Sequence, residues 1–263
     1  MKKLTIVFVV LLSACATPSQ RFQQKAQELG LISEQISSEI FQHKVYFAKN
    51  LIEGGVLHVY LDGDGTPWER RRWIADDPTA RNPLILRLMN QDGAASILLG
   101  RPCYYGLSHA VSCDSKYWTS HRYSKEVVDS MVTALNRWLA QHDFNEVVII
   151  GYSGGGVIAV LMADKIMNLS TVVTISANLN VSKWSEYHGY LPLKQSLNPA
   201  DMIGINSNIK QIHFAGKEDE VVPSFIIKEY AEKQENVKFY GLAGKDHSCC
   251  WDEGWDDLLE LIK

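Results

Sequence analysis

Apolar residues come in short blocks along this chain, and their spacing switches between two periods. Blocks at 44–49 and 56–61 read as strands, with Glu53-Gly54-Gly55 as the turn between them. Asn82-Pro83 reads as a helix cap followed by proline in the first turn, and Leu84, Ile85, Leu88 and Met89 then share one face. Ala95 to Leu99 is the next strand. Residues 124–142 carry the clearest helical period, with Ser124 as cap and a buried stripe of Val127, Val128, Met131, Leu135, Trp138 and Leu139. The pattern continues as strand 147–151, helix 154–167, strand 171–176, strand 211–215, helix 223–234, strand 236–240 and a last helix near 251–262. Alternating strand and helix periods predict an α/β fold, with a mainly parallel central sheet flanked by helices. Residues 177–208 lack a period and are rich in Asn, Ser, Pro and Tyr, which predicts at most a short cap over a site. No internal repeat and no composition break appears, so residues 26–263 are expected to form a single domain.

The N-terminus follows a different rule. Lys2 and Lys3 precede Leu4 to Leu12, a nine-residue stretch in which only Thr5 is polar. That length suits the core of an export signal and is too short for a permanent span. Leu12-Ser13-Ala14-Cys15 fits a bacterial lipobox, so residues 1–14 are expected to be a lipoprotein signal peptide and Cys15 the lipid-bearing residue. An ordinary secretory signal is the alternative. Residues 15–25, with Thr, Pro, Ser and Gln, are expected to be a tether. The predicted address is the bacterial cell envelope, with the domain facing the periplasm or exterior and held through an N-terminal lipid anchor. Ala16, in place of an aspartate after Cys15, favours the outer membrane.

Composition adds limits. With 46% hydrophobic and 21% charged residues, the chain can bury a substantial core. The formal charge is −4, and there is no basic cluster, so nucleic acid is not an expected partner. Beyond Cys15 there are Cys103, Cys113, Cys249 and Cys250, an even number that suggests disulfides in an exported chain. Three pairings are possible. A local Cys103–Cys113 bridge is favoured, the pairing of Cys249 and Cys250 stays open, and the spacing does not suit zinc.

The chemistry starts at Gly151-Tyr152-Ser153-Gly154-Gly155, set between a predicted strand and a predicted helix. A turn this tight strains the serine and lifts its hydroxyl above the sheet edge. The Gly154 N–H then points into the same space at the positive end of a helix, where an oxyanion is stabilised. A serine hydroxyl needs a base, and the base needs an orienting group. His247 follows the last predicted strand in Gly244-Lys245-Asp246-His247-Ser248, whereas His58 and His213 lie inside strands and His142 ends a helix. The acid is expected in the turn after strand 211–215, where Asp219 is preferred to Glu218 and Glu220, with Asp201 and Asp246 as fallbacks. Leu61-Asp62-Gly63-Asp64-Gly65 follows strand 56–61 and is expected to give a second oxyanion donor, the N–H of Asp64 first and of Gly63 next. A calcium loop is the rival for these aspartates, but no Glu stands at the twelfth place, and Pro67 and Trp68 intrude. Trp68, Tyr104, Tyr105 and Trp118 are expected to line an acyl or aryl pocket, or else to cover the core.

On these residues the chain resembles the α/β-hydrolases over nearly all of the sequence after the leader. The order Ser153, Asp219, His247 is that of the fold, and Gly216-x-x-Asp219-x-Val221-Val222-Pro223 resembles the acid turn of serine hydrolases. More narrowly it resembles a family of bacterial exported serine hydrolases, through Gly63-Asp64-Gly65 with Trp68, Asp77-Pro78, Asn82-Pro83, Arg101-Pro102-Cys103, Tyr117-Trp118-Thr119, Ser196-Leu197-Asn198-Pro199 and His247 ahead of Trp251. The resemblance implies a central sheet, a serine triad and no cofactor, but no particular substrate; with the residues above, the expected activity is hydrolysis of an ester or related acyl bond in a small molecule, with no metal. Asp62 stands where many lipases carry histidine. A membrane-anchored, catalytically inactive binding or envelope-structural protein on the same fold is the alternative.

Overall fold

The structure, a computed structural model, describes residues 16–70 and 72–262. The signal peptide read at 1–14 and the lipid-bearing Cys15 lie outside the described residues.

The eight-stranded sheet is built from β1 (Leu31–Ser37), β2 (Gln42–Ala48), β3 (Val56–Leu61), β6 (Ala95–Leu99), β7 (Glu146–Tyr152), β8 (Leu169–Ile175), β9 (Lys210–Gly216) and β10 (Val237–Leu242). A separate hairpin joins β4 (Trp68–Glu69) to β5 (Trp73–Ile74). The strand order is β1-β2-β6-β3-β7-β8-β9-β10. Only β2 runs against its neighbours, and the pairs from β6 to β10 are all parallel. Parallel strands need crossovers, and helices supply them on both faces.

Alternation along the central strands decides which face each residue feeds. On β7, Val147 and Ile149 join one core with Leu57, Val59 and Leu61 of β3, beneath α3 (Lys125–Leu139), α4 (Gly154–Met162) and α6 (Ser224–Ala231). Val148 and Ile150 join the opposite core with Tyr60, Leu98 and Phe214, beneath α1 (Pro18–Glu28), α2 (Leu84–Gln91) and α7 (Trp255–Glu260). Burial on both sides is why these strands read as continuous apolar runs. Among the described residues no helix is long and apolar enough to cross a membrane.

Three segments differ from the sequence reading. Residues 18–25 are not a tether but most of α1. Thr17 caps it by accepting from Gln20 N–H, and Gln20 reaches back to Thr17 N–H, a reciprocal capping box with Pro18 in the first turn. Phe22 and Ala26 are its buried stripe, with Phe22 set against Tyr46 and Tyr105. Residues 31–37 form the antiparallel edge strand β1, whose mostly exposed, polar pattern gave no clear period. Within 177–208 the chain forms α5 (Val181–Tyr187), capped by the Asn180 side chain.

Candidate active site

The parallel strands β3, β7 and β9 end on one edge of the sheet, and the residues that follow them meet there. After β7 the chain turns at once into α4, and Ser153 carries the turn with φ of 51°. A Cβ at Gly151 would lie 2.5 Å from Gly155 O, and one at Gly155 would lie 2.3 Å from Leu61 O. Only glycine permits this crossing of strand and helix. Its result is a hydroxyl projecting from a left-handed residue that the neighbouring backbone holds in place.

His247 lies beyond β10, and its Nε2 is 3.1 Å from Ser153 Oγ. Its Nδ1 is 2.9 Å from Asp219 Oδ2. Asp219 follows β9, and its other oxygen accepts from Val221 N–H at 2.9 Å and Val222 N–H at 2.8 Å. Those two donors aim the carboxylate at the imidazole, and its side chain is fully buried. Tyr152 OH donates to His247 O at 2.9 Å, pinning the histidine loop to the serine turn. The structure thus brings together Ser153, His247 and Asp219, in the geometry of a nucleophile, a base and an orienting acid. Asp246, a fallback for the acid, instead caps the N–H groups of Ser248 and Cys249.

The loop after β3 runs beside the serine: a Cβ at Gly63 would lie 3.3 Å from Ser153 Cβ. Gly63 N–H donates to Asp62 Oδ1 at 2.9 Å, so it is committed within its own loop. Asp64 N–H and Gly154 N–H have no hydrogen-bond partner among the described residues. The Asp64 side chain turns inward against Gly154. There it takes Arg101 Nη1 at 2.5 Å, Arg122 Nη1 at 2.8 Å and Tyr123 OH at 2.6 Å. Arg101 also reaches Gly63 O, and Tyr104 OH donates to Asp64 O. Burial opposes ionisation of Asp64, but the Arg122 and Arg101 guanidiniums outweigh it and hold its carboxyl well below the usual range. Asp62 bonds no guanidinium and feels Arg101 only at a distance. Burial pushes it up to about 6, against the Gly63 N–H and the Tyr105 hydroxyl that favour its charge. The two carboxylates face different partners, and one is saturated by cations, so they do not form the ligand set of a calcium loop.

The aromatic residues correct a sequence expectation. Tyr104 and Trp118 do not line an open pocket. They are 1% and 5% exposed, and Trp118 Nε1 donates to Ala75 O. Tyr105 is buried as well, and Trp68 is exposed on the β4–β5 hairpin. The rings of Tyr104, Tyr105 and Trp118 are claimed by the core, which a loop position in the sequence cannot show. The sequence pattern does not single out Arg101, Arg122 and Tyr123 as site residues. A buried arginine demands a carboxylate, and the acids at 62 and 64 are the signal the sequence offers for them. Cys103 is bonded to Cys113 with Cα atoms 5.5 Å apart, and Cys249 to its neighbour Cys250.

Sheet order, serine turn and the positions of the three side chains define the class: an α/β-hydrolase. Solved structures agree on the fold. The Pyrococcus furiosus esterase Pf2001 aligns with a TM-score of 0.64 at 13% identity, over 100% of this chain and 98% of that one. Est1E from Butyrivibrio proteoclasticus aligns with a TM-score of 0.59 at 15% identity, over 88% and 98%. An α/β serine hydrolase without lid from Xanthomonas campestris aligns at 0.52 and 12% identity, over 88% and 91%. No curated protein matches the sequence. The family described as Serine hydrolase (FSH1) matches residues 22–247, and the chain belongs to that family. It is a serine hydrolase of esterase-like type.

Proposed function

We propose that this hydrolase cleaves an ester or related acyl bond in a small molecule, through an acyl-enzyme on Ser153. The continuous chain from Ser153 Oγ through His247 to Asp219, at 3.1 and 2.9 Å, is the observation that carries the reading. His247 Nε2 takes the hydroxyl proton as Ser153 attacks the carbonyl carbon. Asp219 holds the Nδ1–H and stabilises the imidazolium that forms. The N–H groups of Gly154 and Asp64 receive the oxyanion. Their lack of other partners supports this role, as does the commitment of Gly63 N–H to Asp62. Protonation of the leaving group by His247 gives the acyl-enzyme, and water activated by the same imidazole releases the acid. Residues 1–14 and Cys15 support the second half of the proposal, a lipoprotein held at the bacterial envelope, with the outer membrane favoured.

A fluorophosphonate probe tests the chemistry. The purified protein should be labelled, and Ser153→Ala should abolish labelling and lower kcat on a short aryl ester by about 10³-fold or more, with unchanged circular dichroism. Labelling that survives Ser153→Ala would remove the nucleophile. A folded wild-type protein that never labels would favour the inactive scaffold.

A further inference from the structure

His247, like Asp219 in the turn after β9, is held by no regular element. Alongside the Tyr152 hydroxyl on His247 O and the Glu218 bonds to Lys245, its loop, residues 243–254, is held by local bonds, and several of these converge on the Cys249–Cys250 pair. Asp246 Oδ1 accepts from Ser248 N–H at 2.8 Å and Cys249 N–H at 2.6 Å. Lys245 Nζ donates to the carbonyls of Cys250 and Glu253, and Glu253 N–H donates to Cys250 O at 3.1 Å. Trp251, fully buried, donates from Nε1 to Asp246 O at 2.8 Å. Cys250 thus presents a carbonyl shared by two donors, from a left-handed conformation with φ of 74°. A residue with a Cβ avoids that conformation. Here the bond between adjacent side chains closes a ring around the intervening peptide and keeps both residues from turning.

We propose that the Cys249–Cys250 disulfide is a positioning element for His247, so that the hydrolase is fully active only when this pair is oxidised. The proposal rests on the reading of Ser153 and His247 as the reacting pair. Opening the ring frees Cys250 to leave the left-handed region. Its carbonyl then turns from Lys245 and Glu253, the Cys249 N–H leaves Asp246, and each of the two residues that precede His247 loses one of its anchors. The imidazole no longer holds one position opposite Ser153 Oγ. The two bridges differ in access. Cys249 is exposed, whereas Cys103 of the other bridge is buried. An external dithiol therefore reaches the adjacent pair first. Its thiolate attacks Cys249 Sγ and displaces the Cys250 thiolate. The second thiol of the reagent then resolves the mixed disulfide. Two electrons pass to the pair, two protons are taken up, and the reagent leaves as its own disulfide. The reverse exchange with an oxidised dithiol restores the ring. A chain made in a reducing compartment would stay weakly active until it reached an oxidising one.

The test uses the full purified protein treated with dithiothreitol, with thiols mapped by alkylation and peptide mass. Where Cys249 and Cys250 are alkylated but Cys103 and Cys113 are not, kcat on a short aryl ester should fall about 10-fold or more with KM nearly unchanged, since a small misplacement of a catalytic group has effects of this size. The fluorophosphonate labelling rate should fall in parallel, circular dichroism should stay constant, and reoxidation should restore both rates. A Cys249→Ser, Cys250→Ser double variant should start at the reduced rate and ignore dithiothreitol. Full activity in the mapped, reduced protein overturns the proposal, as does global unfolding on reduction. If Ser153→Ala abolishes labelling while reduction changes nothing, only the disulfide proposal fails. If labelling survives Ser153→Ala, the reading of the site beneath it fails.

Discussion

Asp62 sits between β3 and the loop that runs beside Ser153, and it is the residue of the site whose charge is least supported. Its carboxyl is raised from 3.8 to about 6, chiefly by burial. An acid raised in this way binds its proton more tightly when folded, so stability is full below the unfolded value and falls as pH rises through the folded one. The window runs from about pH 4 to about pH 6, and the shift corresponds to roughly 3 kcal/mol. Asp62→Asn keeps an acceptor for Gly63 N–H and removes the charge. Its Tm should exceed that of the native protein at pH 8, with the gap closing by pH 4, as thermal melts across that range would show. An equal Tm at both pH values would mean that Gly63 N–H and Arg101 fully support the charge. Residue by residue, legibility followed distance along the chain. Ser153, Asp219 and His247 each stand in a local pattern, a strand followed by a turn of recognisable composition. Arg101, Arg122 and Tyr123 acquire meaning only when the fold brings them to Asp64, and no spacing encodes that meeting.

Helix α1 is the element that most changes the picture. Polar composition over residues 16–25 suggested loose chain, because a helix with only Phe22 and Ala26 buried has too few apolar positions to reveal its period. The cap was nevertheless written in Thr17, Pro18 and Gln20. Thr17→Ala should lower stability by about 1 kcal/mol. Phe22→Ala should lower it by about 3–5 kcal/mol, because the ring leaves a cavity against Tyr46 and Tyr105. Urea unfolding measures both, and a tether would show neither loss. The elements of the sheet interior were legible because burial on both faces leaves long apolar runs. Edge strand β1 and helix α5 were not, since each buries only part of itself.

Across the whole molecule, the segment between β6 and α3 serves as a brace. It carries the Cys103–Cys113 bridge, and from it Arg101, Tyr104, Tyr105, Arg122 and Tyr123 all reach the loop at 62–64. Cys103→Ser with Cys113→Ser should lower stability by about 2–3 kcal/mol, the chain-entropy value for a loop this short. The distances among Ser153, His247 and Asp219 should survive, because none of the three is on that segment. Thermal melts and the crystal structure of the variant would check both statements. The capping box at Thr17 has one more implication. Were Cys15 the lipidated residue, Ala16 alone would separate acyl chains from folded body, a reach of about 3.5 Å per residue. The catalyst would then ride flush on the bilayer instead of ranging from a leash, and its diet would be confined to molecules that come to the surface themselves.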